Sequence, residues 1–524
     1  MVFSCLPGRC FRLMNQMLDL LIVNPGGRTH VYQGLGAELA AVEPPVWAGL
    51  IATYIRQRGF SVGILDANAE NLSPEETAEK ISELKPTLTA VVVYGHQPSA
   101  TTQTMPAAGA ICAHLKRRTP ELKSILVGGH VAALPERTLR EEEADFVSGG
   151  EGPVTILELL QALKGKFAEQ IQSVHDLWYW DGNKPRANAP APLIQDLDHE
   201  MPEIAWDLLP MEKYRAHNWH CFGNLNREPY ASLYTTLGCP FHCSFCCIQA
   251  PFKTGEKTLG LKEQTNSYRF WSPDAVIAQI DKLVRGYGIR NIKFADELFV
   301  LNEKHVIGIC DRIIERGYDL NIWAYARIDT CKDSMLDKLR RAGFSWLGIG
   351  IESASSYVRD GVEKNFGVKD IKNILEKVRA AGIKVGANFI FGLPDDTLET
   401  MQETLDLAID LCPDWANFYS AMAYPGSKLY ALALERNFAL PETWLGYSQH
   451  AYETLPLPTE FVSAGEVLGF RDKAFQIFFT HPKYLNHVKT KFGTETVEHI
   501  KQMTSHHLAR KHVLPFVENI GKTN

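Results

Sequence analysis

Leu237-Gly238-Cys239-Pro240-Phe241-His242-Cys243-Ser244-Phe245-Cys246 sets three cysteines in a C-x3-C-x2-C spacing, just after the short apolar, β-branched run 233–237. A cubane iron–sulfur cluster takes four thiolates. Three thiolates leave one iron without a protein ligand, and an open coordination position marks a metal site that does chemistry rather than one that only holds structure. A zinc knuckle, a ferredoxin-like site and three unrelated thiols are the other readings of this spacing. Its place at the end of an expected strand, with Gly-Cys-Pro in front and Phe245 between the second and third ligands, favours the cluster.

Around this stretch the bulk numbers are those of an ordinary globular protein. The chain has 524 residues, 45% hydrophobic and 22% charged, which suggests two to four domains. A net charge of -7 argues against a broad nucleic-acid surface. No apolar stretch reaches the roughly 18 residues of a membrane span. Eleven scattered cysteines with no paired framework point to a reducing, cytoplasmic setting. Residues 1–18 read as an N-terminal extension, with Met14 or Met17 as alternative starts for the first 16 residues.

Upstream of the cysteines, residues 19–164 alternate strand and helix patterns. Apolar runs at 19–24, 60–66, 88–94, 123–127 and 145–148 are separated by helical patterns, among them 45–58 and 74–84, the latter behind a Ser73 cap. Such alternation predicts a doubly wound, Rossmann-like α/β domain with a parallel sheet covered on both faces. Ligands bind such sheets at the carboxyl ends of the strands. Those ends read Asn24-Pro25-Gly26-Gly27, Tyr94-Gly95-His96-Gln97-Pro98-Ser99, Val127-Gly128-Gly129-His130 and Ser148-Gly149-Gly150-Glu151-Gly152. Glycines there let backbone approach a large flat ligand. Residues 165–228 lose periodicity and read as a linker, packed down by Trp206, Leu208 and Tyr214.

From 229 to 440 six βα units follow, with strands at 232–237, 291–294, 322–326, 346–351, 385–391 and 416–421. They predict a partial (β/α)6, TIM-like barrel whose chemistry sits at the C-terminal strand ends. That rule selects Asp296 and Glu297, Arg327, Glu352 and Ser353, Asn388 and Tyr424. Asp296 can act as a carboxylate acceptor or cap a helix, and Arg327 can pair with Asp296 or with a bound carboxylate. Residues 441–524 read as a helical C-terminal region in which Trp444 and Tyr447 pack against the barrel or flank a substrate cavity, the former being favoured, and Cys247 reads as a bystander thiol.

The three-cysteine stretch resembles the radical S-adenosylmethionine (SAM) superfamily, and the glycine-rich strand ends resemble cobalamin-binding domains. Their order over about residues 19–440 resembles the cobalamin (B12)-dependent radical SAM enzymes, the class B methylases. The resemblance implies a [4Fe-4S] cluster on Cys239, Cys243 and Cys246, and SAM contacts from Phe245, Asp296, Glu297, Arg327, Glu352, Ser353, Asn388 and Tyr424. It implies cobalamin, as methylcobalamin, near Asn24, Gly26, Gly95, Pro98, Ser99, Gly128, Gly129, His130, Gly149, Gly150, Glu151 and Gly152. Relatives with D-x-H-x-x-G place a histidine under cobalt. The loop here, Gly26-Gly27-Arg28-Thr29-His30-Val31, lacks the Asp and Gly of that motif, which fits the branch without a protein ligand on cobalt, although His30 could still reach it. The implied activity is reductive cleavage of SAM to a 5′-deoxyadenosyl radical and methyl transfer from methylcobalamin to an unactivated carbon, or phosphorus, of a metabolite. An electron donor such as flavodoxin or ferredoxin would supply the reducing electron. A non-methylating cyclase or oxidoreductase of the same architecture, and a cobalamin- or cluster-based sensor, are the alternatives.

Overall fold

The computed structural model describes residues 18–33, 40–95, 97, 99–165, 170–223, 226–364 and 366–513, without the side chains of Thr29 and His30. The His30 and Pro98 expectations therefore lie outside the described residues.

Five parallel strands form the first sheet: β1 (Leu20–Asn24), β2 (Val62–Asp66), β3 (Leu88–Val93), β4 (Lys123–Gly128) and β5 (Phe146–Ser148). Their order is β2-β1-β3-β4-β5, a doubly wound arrangement. Along β1, Leu20 and Ile22 enter one apolar core while Leu21 and Val23 enter another. This explains why the strands are continuous apolar runs rather than alternating ones. The 74–84 helix forms as its sequence predicts, with the Ser73 hydroxyl and Glu76 carboxylate closing a capping box.

The 165–228 stretch is more than a linker. Its β6 (Leu177–Asp181) and β7 (Lys184–Ala187) form a hairpin that adds two antiparallel strands to the edge of the first sheet at β5. Trp206 and Tyr214 are fully buried, and the Tyr214 hydroxyl donates to Asp66 at 2.8 Å.

The second sheet runs β8 (Tyr230–Leu233), β11 (Asn291–Phe294), β12 (Asn321–Arg327), β13 (Phe344–Glu352), β14 (Lys384–Phe391) and β15 (Trp415–Ser420), all parallel. Its edge strands β8 and β15 do not pair with each other, so the barrel is incomplete. The first barrel strand is shorter than its apolar run predicts. The Asp296 carboxylate takes the Thr235 backbone N–H, pulling the chain out of the ladder after Leu233. The next two residues, β9 (Thr236–Leu237), pair antiparallel with β10 (Arg269–Phe270). At the opposite end of the barrel Trp219 wedges between Trp323 and Trp346, ring centroids 5.1 Å from each, and closes the floor.

The helices Ala464–Thr480, Pro482–Phe492 and Thr494–Ser505 belong to the same core as the barrel. Trp444 departs from expectation. It packs on the first sheet's side, edge-on to His130 at 4.4 Å and beneath the Arg137 guanidinium at 4.3 Å. No described helix is long and apolar enough to cross a membrane.

Candidate active site at the mouth of the half-barrel

The thiol loop is held from three sides. Gly238 has φ 87°, and a Cβ there would lie 2.3 Å from the Ser267 carbonyl oxygen, so only glycine lets the loop leave β9 this close to β10. Asn266 Nδ2 donates to the carbonyls of Cys239 at 2.9 Å and Phe241 at 2.8 Å. The Arg327 guanidinium lies 3.8 Å over the Phe241 ring and donates to Cys243 Sγ at 3.4 Å. All three thiols are free and partly accessible. Burial pushes the Cys239 thiol up to about 11 and Cys246 well above its ordinary value, so neither is a thiolate without a metal. Among the described residues no three His, Cys, Asp or Glu side chains converge on one point. Spaced thiols on one loop fit a polynuclear cluster, in which each cysteine takes its own iron.

Asp296 does not reach the open cavity. It is fully buried and accepts from the Thr235 N–H at 3.0 Å, the Thr235 hydroxyl at 2.8 Å and the Thr236 hydroxyl at 2.6 Å. It caps no helix either, because the following helix, Glu303–Arg316, is capped by Asn302. Its role is to tie the root of the thiol loop to the end of β11. Arg327 likewise pairs with Asp329, through two contacts of 2.9 Å, and not with Asp296. Ser353 is fully buried against the Thr404 hydroxyl at 3.2 Å. These three expected contacts therefore support the site from behind.

The remaining expected residues do meet. A cavity of about 210 Å³ lies at the carboxyl ends of the barrel strands. Phe245, Cys246 and Cys247 of the thiol loop form one side; Cys247 is thus part of the wall rather than a bystander. Glu297, Glu352, Asn388 and Tyr424 project into it. Glu297 carries a carboxyl that burial pushes up to about 8. Glu352 sits at a bulge with φ 66° and is paired with the buried Lys364. Asn388 Oδ1 accepts from Asn417 Nδ2 at 2.9 Å, which leaves its own amide N–H groups for the cavity. Sequence reasoning assigned no role to Tyr325, Tyr419, Gln449 or Gln97, which also line it. Inward alternation from Asn417 could have found Tyr419; nothing in the sequence marks Gln449.

Gln97 and Ser99 reach this cavity from the loop after β3, so the first sheet's strand ends face the barrel mouth. Several residues expected there against cobalamin are occupied otherwise. Glu151 forms a buried two-contact ion pair with Arg269, at 2.8 and 3.2 Å. Added Cβ atoms on Gly149 and Gly150 would meet Trp178 at 3.0 Å and Asp176 at 2.2 Å, and one on Gly152 would meet Val127 at 2.4 Å. The Cβ side of each of these three glycines is thus filled by protein. Asn24 donates to Asp66 at 2.7 Å. Gly95 and Gly128 allow close backbone approach; a Cβ on Gly128 would lie 2.2 Å from the Val93 carbonyl oxygen. His130 is buried, its Nδ1 is 3.2 Å from the Thr102 hydroxyl, and burial holds it neutral, down at about 3. Two observations fit a large polar ligand beside β1 and β4. Arg28 Nε and Nη1 and His130 Nε2 are buried without a partner among the described residues. Gly26, Gly95, Ser99, Gly128 and Gly129 stand at the strand ends around them.

Two family models match this chain: the B12 binding domain over residues 32–160 and the radical SAM superfamily over residues 233–408. The chain is 29% identical over 472 residues to an uncharacterized methyltransferase of Pyrococcus horikoshii, covering 90% of this chain and 94% of the relative. It is 27% identical over 480 residues to an anaerobic magnesium-protoporphyrin IX monomethyl ester cyclase of Rubrivivax gelatinosus, covering 90% and 80%. Its fold is similar to that of the radical SAM methyltransferase TsrM from Kitasatospora setae, solved with cobalamin and a [4Fe-4S] cluster bound, at TM-score 0.63 and 16% identity over 97% of this chain and 93% of that one. A B12-binding domain whose strand ends face a radical SAM half-barrel on one chain places the protein in the cobalamin-dependent radical SAM family.

Proposed function

We propose that the protein is a cobalamin-dependent radical SAM methyltransferase acting on an unactivated carbon, or a phosphorus, of a small metabolite. The observation that carries this reading is one cavity bounded at once by the thiol loop, by the carboxyls Glu297 and Glu352, and by the Gln97–Ser99 loop of the B12-binding domain. When bound, the cluster and SAM supply hydrogen-abstracting radical chemistry, and cobalamin supplies the methyl group.

The chain's own residues do the holding. Cys239, Cys243 and Cys246 carry the cluster, and iron must displace their thiol protons. Glu297 accepts from the SAM ammonium once it is deprotonated. Glu352, fixed by Lys364, and Asn388 would hydrogen-bond the ribose and methionyl groups, while Phe245 and Tyr424 would wall the adenosine. Asp296 and Arg327 act one layer back, fixing the loop that carries the thiols. Gly26, Gly95, Gly128 and Gly129 stand at the strand ends where the corrin would lie, and Arg28 would donate to one of its polar side groups. The Pro240 side of the thiol loop is open to solvent, where a donor such as flavodoxin or ferredoxin would reach the cluster. We place the enzyme in the reducing cytoplasm.

The test is anaerobic reconstitution with SAM carrying a deuterated methyl group. Deuterated methyl product together with S-adenosylhomocysteine and 5′-deoxyadenosine supports the reading. The Cys239/Cys243/Cys246→Ala triple variant should lose iron, sulfide and SAM cleavage; full iron retention would refute the cluster assignment. Identity to the cyclase favours one second reading, a non-methylating reaction, which predicts 5′-deoxyadenosine without labelled product.

A further inference from the structure

The cavity carries phenols as well as carboxyls. Tyr325 of β12, Tyr419 of β15 and Tyr424 just after β15 line it. Among the described residues the Tyr325 oxygen meets only the Gln97 amide N–H, which leaves its own proton unassigned. Interchanging the Gln97 oxygen and nitrogen would only move the unassigned donor from the phenol to that amide. Tyr419 has no hydrogen-bond partner among the described residues. The Tyr424 oxygen accepts from Gln449 Nε2 at 3.3 Å. Gln449 itself is saturated, because it also donates to the Ser420 carbonyl at 2.9 Å and accepts the Ser420 N–H and hydroxyl, each at 3.0 Å. It is a fixed strut. Arg510 holds it from behind by donating to its carbonyl at 3.0 Å.

Burial pushes all three phenols above their ordinary value, Tyr424 up to about 12, so each stays an O–H donor at any working pH. No lysine or arginine lines the cavity among the described residues, and Lys364 is already paired with Glu352. An anionic group placed here would face Glu297 and Glu352 with no free cation, and burying an unpaired charge is expensive. A pure hydrocarbon would leave the Tyr325 and Tyr419 hydroxyl protons without an acceptor, which buried donors tolerate poorly. Ile390, Ala421 and Met422 offer an apolar face for a ring.

We infer that Tyr325 and Tyr419 mark the substrate subsite, which takes an uncharged ring compound whose carbonyl oxygen accepts from these phenols, such as a lactam or cyclic ketone, rather than a phosphate ester or carboxylate. The inference rests on the cavity being the active site, as proposed above.

Three probes of similar size test it by anaerobic equilibrium dialysis on the cluster- and cobalamin-loaded protein with SAM: oxindole, indane and phenyl phosphate. The expected order is oxindole tightest, with indane and phenyl phosphate each at least about tenfold weaker. Tyr419→Phe should weaken oxindole about three- to tenfold, and Tyr325→Phe similarly, with indane and SAM unchanged. Phenyl phosphate or indane binding as tightly as oxindole, or no oxindole binding beside normal SAM binding, overturns the inference. The probe order on the unaltered protein stands even if a variant misfolds. A preparation that holds its cluster yet cannot cleave SAM instead overturns the active-site reading, and the inference with it.

Discussion

Glu297 and Asp296 are neighbours in sequence with opposite jobs. Glu297 faces the cavity with its carboxyl raised to about 8. If it accepts from the SAM ammonium, SAM binds the deprotonated form and releases a proton. Affinity should therefore rise with pH, by up to about tenfold between pH 6 and 7; equilibrium dialysis across that window checks it, and Glu297→Gln should flatten the slope. The same shift acts on stability with the other sign. Folding raises this pKa above the unfolded 4.5, so the folded apo-protein holds the proton more tightly and loses stability as pH climbs from about 4.5 through 8. Asp296 should behave differently. Its carboxylate accepts from Thr235 and Thr236 and touches no cavity, so Asp296→Asn should cost about 1.5–3 kcal/mol of stability while SAM affinity stays near normal. Melting temperature and SAM dissociation constant, measured together, separate the two roles. A large affinity loss at an unchanged melting temperature would return Asp296 to the site.

At the scale of elements, the thiol loop depends on one backbone position. Gly238→Ala forces a side chain to φ 87° and into the Ser267 carbonyl. The left-handed backbone alone costs about 1–2 kcal/mol, and the clash must push β9 and β10 apart. The expected result is substoichiometric iron with far-ultraviolet circular dichroism unchanged, because only the loop moves; full iron loading in this variant would show that the loop tolerates the shift. The elements themselves were mostly legible. The barrel strands from 291 to 421 match their apolar runs closely, since a barrel repeats one unit with one rule for inside and outside. The β6–β7 hairpin was missed. Its Asp181-Gly182 turn between short alternating runs is a hairpin signal, but an edge strand with exposed Trp180 and Lys184 carries little of the hydrophobic contrast that marks core strands.

At the scale of the whole molecule, the first sheet is pinned to the β9–β10 pair at the root of the thiol loop by Glu151 and Arg269, both buried, with Arg269 also donating to the Ile194 carbonyl at 2.6 Å. Trp47 stacked on Tyr94 at 4.3 Å lies in the same seam. Removing one partner of a buried pair strands the other charge and costs about 3–5 kcal/mol. Arg269→Met should therefore lower the melting temperature sharply, and the double variant Glu151→Gln/Arg269→Met should recover much of the loss. A Glu151→Gln/Arg269→Met double variant no more stable than Arg269→Met alone would mean that the charge pair is not what couples the sheets.

The sequence alone determined the chemistry and the architecture, because both are local. Three cysteines within eight residues, glycines after apolar runs and a repeated βα period are each written over a few consecutive positions. The tertiary structure decided which strand-end residues face the cavity and which face protein. Asp296, Arg327, Glu151 and Gly150 sit at the predicted strand ends, yet Thr235, Asp329, Arg269 and Asp176 claim them. Asp329 is two residues along the chain from Arg327, but the other partners lie in other elements, up to 118 residues away. A polar side chain at a strand end is satisfied by whatever the packing brings within hydrogen-bond reach, and only the folded chain says what that is.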